Sequence, residues 1–496
     1  MVFHLGSALA GKPLIRASHL GAALQYADGP INLARPIIVG FNANEAPTAL
    51  ELPIWQATVG LVFKATHSRW YGWANVVSLL FFATCLWPFF QLARELVGER
   101  AAWWAVLFFL SEPLIALMAG EAATDGFCLS VTIWFVFFAG KLIQGGNVLW
   151  WFPVAFFAAV SAVSKLPFFM AAGLFTAFLL CVTRFREWKA WVLLASAGAV
   201  AACALVAWTH YTDSLSAQAE YPYVELRLSH SPAIVHWWFG DLHYRLSPGP
   251  WIKGGWRFLH ATLGSLCVTV LLFAALMRRG NTVPKLWLLA TFLVTLVFTH
   301  VVLIHWHYYL MCCPAVALLC GSILKVWEDT CPLSNRFFIA LAGIGLALST
   351  IDGIVTMKIG VDYDAFPGEM ALLIRDHTKP EDKLIVYSES GVWGGEELFR
   401  AGRKGFYVQF LDGASTEPSV KGLRDLLGSL EDLGRLKLQG YNKLVLISES
   451  PVRFAIEAAN PGSHRKRQFF PKHISARVDS WPVEYLSDDL LIKDIP

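Results

Sequence analysis

Charged residues are scarce in this chain. They make up 16% of its 496 residues, whereas soluble chains contain roughly 25%. Hydrophobic residues account for 56% of the chain and aromatic residues for 14%, including 21 Trp. This composition excludes an ordinary soluble enzyme and is typical of a polytopic membrane protein.

Basic charge in excess is also lacking. The formal net charge is only +3, and the basic residues are dispersed along the chain. Nucleic acid is therefore excluded as a partner, because its binding requires a concentrated basic surface. Internal repeats and low-complexity tracts are absent too. The partners we expect from composition alone are membrane lipids.

Long apolar segments dominate what is present. Ten can be counted, at 71–92, 101–118, 126–140, 149–163, 166–182, 188–209, 258–276, 286–304, 308–324 and 337–355. Several are shorter than the roughly twenty residues that span a bilayer comfortably. The sequence predicts a mostly α fold, a polytopic helical bundle of about ten transmembrane helices.

The loops between these segments differ in charge. One set carries most of the positive charge, at Arg94, Arg100, Lys141, Arg184, Arg186, Lys189, Arg278, Arg279, Lys285, Lys325 and Arg336. By the positive-inside tendency this set is cytoplasmic. The opposite face then receives residues 1–70, the turn at Asp125, Lys165, the loop 210–257, the junction 305–307 and everything after residue 357.

The exported parts lack two further features. None of the nine cysteines lies in them, so we expect neither a disulfide nor a cysteine zinc site there. The first 50 residues contain neither a signal peptide nor a membrane helix. Either a longer reading frame supplies a first helix, or the first helical hairpin inserts without a leader.

The C-terminal part differs from the rest in its periodicity. Apolar runs at 383–388 and 443–448 are typical of strands, and leucines in 419–433 have helical spacing. We expect three regions: an extracytoplasmic first loop with an interfacial helix (1–70), a transmembrane core with an outer loop (71–357), and an extracytoplasmic soluble α/β domain (358–496). The interfacial helix is predicted at 54–66, with Trp55, Val59, Val62 and Phe63 on one apolar face.

Polar motifs follow one another on the outer face. The first loop contains Arg16-Ala-Ser-His-Leu20, Ala27-Asp-Gly29, Leu33-Ala-Arg-Pro36 and Glu51-Leu-Pro-Ile-Trp55; later come Glu121-Ala-Ala-Thr-Asp125, Ser164-Lys-Leu-Pro167 and His305-Trp-His-Tyr-Tyr-Leu310 with Pro314. Ionisable groups this close to a bilayer are costly, which favours a functional site at Asp125. The alternative is a solvated turn in the headgroup region.

In their order, these motifs over residues 12–325 resemble the GT-C superfamily of integral-membrane glycosyltransferases, in particular the group of aminoarabinose and protein O-mannosyl transferases. The resemblance implies an inverting transfer of a sugar from a polyprenyl-phosphate donor to a hydroxyl of a glycan, lipid or protein acceptor. It implies a bacterial inner-membrane location with the active site outside. Catalytic roles would fall to Asp125, His19 and Glu51, and substrate binding to Arg16, Lys165, His307, Tyr308, Tyr309 and Arg245.

Two positions depart from the family pattern. His19 stands where relatives place an Asp, and Leu52 stands where a Lys is common. Histidine can act as a base near neutral pH. Asp28 is the alternative equivalent, although Gly29 and Pro30 beside it indicate a turn.

Several roles stay open at this level. Lys165 either binds phosphate or only marks the helix break made by Pro167. No metal ligand set is predicted, although two carboxylates are able to hold a divalent cation. The aromatic loop 210–257 either covers substrate or lies on the membrane. Alternative functions are a non-catalytic GT-C-like subunit that binds a partner through its outer domain, and a lipid-linked sugar transporter, which the lack of repeated halves disfavours.

Overall fold

The computed structural model comprises helices and one small sheet. It describes residues 12–38, 42, 44, 46–48, 51–70, 72–145, 147–220, 229, 232–278, 280, 282–330, 335–388, 396–408, 429–447, 481–486 and 490–495. The chain divides into two compact units. A mixed unit contains Met1–Trp73, Tyr211–Ser231 and Lys358–Pro496, and a helical unit contains Ala74–His210 and Pro232–Met357.

Helices account for most of the described residues. In chain order they are α1 (Lys12–Asp28), α2 (Ile54–Thr66), α3 (Gly72–Thr84), α4 (Leu86–Val97), α5 (Glu99–Ser111), α6 (Pro113–Met118), α7 (Asp125–Ile143), α8 (Trp151–Ser164), α9 (Leu166–Arg184), α10 (Trp188–Ser216), α11 (Pro232–Phe239), α12 (Leu242–Leu246), α13 (Pro248–Phe258), α14 (Leu266–Met277), α15 (Thr282–Val297), α16 (Thr299–Ile304), α17 (Cys313–Thr330), α18 (Asn335–Asp376), α19 (Glu396–Ala401) and α20 (Leu430–Leu438). Short 3-10 helices at Val148–Trp150 and Trp306–Cys312 and a π-helical turn at Leu259–Leu263 connect some of them.

The protein is an integral membrane protein. Within the described residues, five helical stretches are long and apolar enough to cross a membrane: Gly72–Val97, Asp125–Ile143, Leu166–Arg184, Trp188–Ser216 and Trp306–Trp327. The number rises to six if Pro248–Leu263 and Leu266–Met277, which meet at an angle of 102°, are counted as one span. All ten apolar segments of the sequence lie in helices, some of them interrupted or shorter than a full span. Helices predominate because a backbone in lipid must satisfy its own hydrogen bonds.

Two helix breaks in the helical unit have local causes. Glu112 is extended (φ −61°, ψ 128°) before Pro113, as the bulk of a proline ring demands of the residue that precedes it. Lys165 is extended (φ −158°, ψ 90°) between α8 and α9, and Pro167 occupies the first turn of α9, where its missing N–H costs nothing. Both breaks place an ionisable side chain between two helices.

Close helix packing in the helical unit depends on Gly321. A Cβ atom at this position of α17 would lie 2.4 Å from the carbonyl oxygen of Ala101 and 2.7 Å from the backbone nitrogen of Ala105 on α5. The two helices therefore touch backbone to backbone, which only glycine permits. This contact joins the second apolar segment of the chain to the late helix that follows the 305–312 junction.

The mixed unit contains a five-stranded sheet. Its strands are β1 (Lys383–Ser388), β2 (Lys404–Val408), β3 (Tyr441–Ile447), β4 (Val483–Leu486) and β5 (Leu490–Asp494), in the spatial order β2-β1-β3-β5-β4. β1 pairs in parallel with β2 and β3, whereas β5 is antiparallel to β3 and β4. The two strands predicted from the sequence are thus confirmed as β1 and β3. Most of the predicted helix at 419–433 lies outside the described residues.

The first loop of the chain shares a core with this sheet. Ala22 of α1 and Ile38 lie in one buried cluster with Leu384, Val386, Val445 and Ile492 of the strands, and with Ile374. The N-terminal and C-terminal parts of the chain therefore fold together in the mixed unit, although more than 300 residues separate them in sequence.

Helix α2 has the bounds that the sequence predicts, Ile54–Thr66. Its residues Trp55, Val59 and Phe63 are buried, and the helix packs against α1. A Cβ atom at Gly60 would lie 2.6 Å from Cβ of Tyr26 and 2.7 Å from the carbonyl oxygen of Ala23. The apolar stripe that we expected at the membrane interface is thus covered at these positions by protein.

Candidate active site

The helical unit brings Asp125 and Lys165 together. Asp125 is the first residue of α7, and Lys165 lies in the break between α8 and α9. The ammonium of Lys165 donates a hydrogen bond to Oδ1 of Asp125, with 7% and 1% of the two side chains exposed. The amino end of α7 also attracts the carboxylate, because the helix dipole is positive there. Asp125 is thus buried in an ion pair and is not a solvated turn residue.

The second carboxylate oxygen of Asp125 has a different environment. Oδ2 is buried and accepts no hydrogen bond from the described residues. Ionised carboxylates accept several hydrogen bonds where donors are near, so a buried oxygen without one retains acceptor capacity. This oxygen is therefore able to accept a further hydrogen bond.

Aromatic rings cover the ammonium of Lys165. Its Nζ lies 4.9 Å from the ring centroid of Tyr308 and 5.5 Å from that of Phe168. Rings at these distances attract a cation through their negative faces. The predicted residues Asp125, Lys165 and Tyr308 therefore form one cluster.

The junction after α16 adds histidines to this cluster. His305 is extended (φ −104°, ψ 104°), and its ring centroid lies 5.3 Å from that of His307, which in turn lies 4.7 Å from Tyr308. Burial, reinforced by the positive charges of Lys165 and Arg257, lowers the pKa of His305 to about 4. His305 is therefore neutral near pH 7, and Lys165 and Arg257 supply positive charge to its surroundings.

Helices α11 to α13 pack onto the same junction. The ring centroid of Trp237 lies 5.0 Å from that of His305, and Nδ1 of His300 donates to the carbonyl oxygen of Trp237 at 2.8 Å. Nη1 of Arg257 donates to the carbonyl oxygens of Leu303 and Ile304 at 2.5 and 2.6 Å. The loop therefore contacts the site, at least through these residues.

Arg257 did not stand out in the sequence. The available signal was its place at the end of an aromatic outer loop, directly before an apolar segment. In the junction itself, the buried hydroxyl of Tyr309 has no hydrogen-bond partner among the described residues. Tyr309 is therefore a second polar group of the junction that is able to form a hydrogen bond.

Arg245, predicted to bind substrate, forms hydrogen bonds to the backbone. Its Nε donates to the carbonyl oxygen of Phe239 at 2.8 Å, and its Nη2 donates to that of Val297 at 3.2 Å. These bonds hold α12 against neighbouring helix ends. A role for Arg245 in substrate binding stays a prediction.

The remaining predicted site residues belong to the mixed unit. His19 is buried on α1, its Nδ1 lies 2.9 Å from Nε2 of Gln56, and its ring meets Trp55 edge to face. Glu51 is half-buried just before α2. Arg16 lies on α1, but its side chain is outside the described part of the structure. The alternative residue Asp28 ends α1, is exposed and pairs with Arg69 at 2.5 Å.

The structure thus groups Asp125, Lys165, His307 and Tyr308 in the helical unit, and it places His19 and Glu51 on neighbouring elements of the mixed unit. Convergence of the two groups on one cavity stays a prediction. Among the described residues, no group of three or more His, Cys, Asp or Glu side chains is arranged to hold a metal ion.

Solved structures of membrane glycosyltransferases share this architecture. ArnT from Cupriavidus metallidurans, in a crystal structure with bound undecaprenyl phosphate, has a TM-score of 0.60 and 15% identity over 100% of this chain and 97% of its own. The Archaeoglobus fulgidus oligosaccharyltransferase has a TM-score of 0.52 and 13% identity over 87% and 63%. Mycobacterial arabinofuranosyltransferase AftD has a TM-score of 0.51 and 14% identity over 100% and 41%.

Sequence comparison adds no closer relative, since no family model and no curated protein matches the chain. At the identities above, the structural likeness establishes the fold. The chain has a GT-C fold with a small C-terminal α/β sheet, as the order of its polar motifs predicted.

Proposed function

We propose that this protein is an inverting glycosyltransferase that moves a sugar from a polyprenyl-phosphate donor to an acceptor hydroxyl on the extracytoplasmic face of the membrane. The acceptor is a hydroxyl of a glycan, a lipid or a protein. ArnT, whose structure matches all of this chain, contains bound undecaprenyl phosphate, and this supports a donor lipid of that class.

The observation that carries this proposal is the buried pair of Asp125 and Lys165 at the ends of apolar helices. A transferase of this kind needs a base for the acceptor hydroxyl and a cation for the phosphate that leaves. A carboxylate and an ammonium at one membrane interface supply both. A transporter would instead place such groups near the middle of the bilayer, between related halves.

The reaction assigns one task to each group. The acceptor oxygen attacks the anomeric carbon on the side opposite the phosphate, the bond from that carbon to the phosphate oxygen breaks, and the configuration inverts. The hydroxyl proton passes to Oδ2 of Asp125. The donor phosphodiester becomes a phosphomonoester, whose additional negative charge Lys165 stabilises together with Tyr308 and His307.

The predicted residues of the mixed unit keep the roles that the resemblance implies. Glu51 and His19 act on the acceptor side, and Arg16 contributes charge near the phosphate. The hydroxyl of Tyr309 donates a hydrogen bond to a phosphate oxygen. This contact accounts for a buried hydroxyl that has no partner among the described residues. Buried polar groups are rarely left without one.

A second candidate is a non-catalytic subunit that keeps the fold and binds a partner through its outer domain. The packing of His19 against Gln56 and Trp55 favours it, since a histidine held in this way suits a structural role. The two candidates differ in one respect. Only the transferase consumes a lipid-linked sugar.

The test is an assay of purified protein in nanodiscs with a panel of undecaprenyl-phosphate sugars and an envelope extract as acceptor. Mass spectrometry follows the loss of each donor and the appearance of undecaprenyl phosphate and the glycosylated product. We expect one donor to be consumed and the anomeric configuration to be inverted in the product.

The matched control is Glu95→Gln. Glu95 pairs with Lys141 at the other end of α7, about 24 Å from Asp125 at 1.5 Å per helical residue. This variant should retain transfer. If no donor in the panel is consumed, although the protein binds undecaprenyl phosphate and is folded, the subunit candidate replaces the transferase.

A further inference from the structure

The roles assigned to Lys165 and Asp125 compete for one ammonium group. Lys165 is required to bind a donor phosphate, yet its ammonium donates to Oδ1 of Asp125. Asp125 is required to accept a proton at Oδ2, while its Oδ1 accepts from the same ammonium. A phosphate that enters the cluster therefore competes with this carboxylate for the ammonium.

Release of the pair without a replacement is costly. The two side chains are buried, with 7% and 1% exposed, and breaking a buried ion pair leaves an uncompensated charge in a medium of low dielectric constant. An arriving anion removes this cost for the ammonium. Lys165 therefore changes its partner most easily when a phosphate group enters the cluster.

The neighbours of Lys165 suit such an exchange. The rings of Tyr308 and Phe168 attract its ammonium from distances of 4.9 and 5.5 Å. This attraction does not depend on which anion is bound, because the ring faces act on the cation itself. The long lysine side chain also has several rotatable bonds, so its ammonium moves between nearby anions without movement of the backbone.

We propose that Lys165 exchanges one anion for another: without donor it neutralises Asp125, and the phosphate of a polyprenyl-phosphate lipid replaces that carboxylate. The exchange rests on the proposed function and adds an order of events to it. Donor binding comes first, and the carboxylate of Asp125 separates from the ammonium as the phosphate arrives.

A quantitative consequence is competition between Asp125 and the lipid phosphate. Removing the carboxylate charge in Asp125→Asn frees the ammonium, so undecaprenyl phosphate should bind about tenfold more tightly, which corresponds to about 1.4 kcal/mol. Lys165→Met should weaken binding. In the double variant, the gain from Asp125→Asn should disappear, because no ammonium remains to be freed.

The experiment measures the affinity of the full-length protein in nanodiscs for undecaprenyl phosphate. It compares the wild type, both single variants and the double variant. Glu95→Gln, which removes the carboxylate of another ion pair, is the control. A gain from Asp125→Asn that persists in the Lys165→Met background would reduce the effect to general charge repulsion and overturn the exchange. Absence of any gain in Asp125→Asn would also overturn it.

A measurement on wild-type protein guards against variants that fail to fold. In protein labelled with 13C-aspartate, the infrared carboxylate bands should shift when undecaprenyl phosphate is added, since Asp125 loses its ammonium partner. Unchanged bands at saturating lipid would contradict the exchange. Sugar transfer is assayed separately, so competition without transfer removes the proposed function alone, and transfer without competition removes the exchange alone.

Discussion

Arg257 donates a hydrogen bond from Nη1 to the carbonyl oxygen of Ile304, 2.6 Å away, at the last residue of α16. The last carbonyls of a helix have no partner within the helix, and the helix dipole attracts a cation to this end. The contact holds the backbone directly before His305. Because Arg257 lies on α13, this helix helps to position the junction residues.

Removal of Arg257 should therefore loosen the junction. Hydrogen bonds to charged groups contribute about 1.5–3 kcal/mol each, so Arg257→Ala should lower the thermal unfolding temperature in detergent. Transfer should fall in kcat more than it rises in KM. Arg257→Lys should recover part of both losses, because one donor remains. Lys253→Ala, an exposed change on the same helix, serves as the control, and equal effects of Lys253→Ala and Arg257→Ala would contradict the assignment.

Replacement of Asp125 by Asn should slow sugar transfer by roughly 10²- to 10⁴-fold, the range for a lost general base. The change preserves shape and removes basicity, so the protein should still insert, with a lower unfolding temperature because the buried ammonium of Lys165 loses its carboxylate. Initial rates for the donor identified in the panel provide the measurement. Full activity in Asp125→Asn, with Glu95→Gln measured alongside, would remove Asp125 from the site.

Replacement of His19 distinguishes a catalytic base from a residue that only packs in the core. As a base, His19 should be essential, so His19→Ala should reduce transfer at least 100-fold, within the roughly 10²- to 10⁴-fold range, with a much smaller change in unfolding temperature. If His19 is only a packing residue, His19→Ala should lower the unfolding temperature clearly and change the rate of transfer much less. Gln56→Ala is the companion, because it removes the hydrogen-bond partner and leaves the imidazole. If sugar transfer survives in His19→Ala, we would assign the role of the first-loop base to Asp28. Asp28→Asn would then be the variant to test.

Acid should destabilise the junction through His305. Burial lowers the pKa of this residue to about 4, whereas an unfolded histidine titrates near 6.5. Between these values the unfolded chain binds more protons, so stability falls as the pH decreases from about 6.5 to about 4 and is fully retained above that window.

His305→Gln removes this titration. Unfolding temperatures of wild type and His305→Gln should therefore follow the same trend above pH 7 and diverge below about 6.5, with the wild type losing more. His210→Gln, an exposed histidine on α10, is the control. Curves for wild type and His305→Gln that stay parallel down to pH 4.5 would show that His305 does not contribute.

Orientation has its own test. From the loop charges, the Asp125 end of α7 and the tail after residue 357 should be outside, and the loop with Arg278 should be cytoplasmic. Epitope tags placed after Pro496 and after Arg278 should be accessible in intact cells in the first case only. The reverse pattern would overturn the orientation and, with it, the extracytoplasmic site.

Sequence alone was sufficient for the architecture of the apolar segments. A backbone in lipid forms helices because it has no water to bond with, so long apolar runs translate directly into helices such as α7 and α9. The strands β1 and β3 followed from short apolar runs, and the break at Lys165 followed from Pro167. Side-chain character and proline geometry determine these features locally, so a short stretch of sequence is enough to predict them.

Only the tertiary structure decided which of these residues meet. Asp125 and Lys165 are 40 positions apart, and Arg257 and Ile304 are 47 apart, and no periodicity relates them. The first loop shares its core with strands near the C-terminus, and the apolar runs that predict these strands do not indicate that contact. Such pairings depend on how helices and strands pack, and that packing is determined by contacts summed over the whole chain. Local sequence therefore specifies the elements, and their packing specifies the partners.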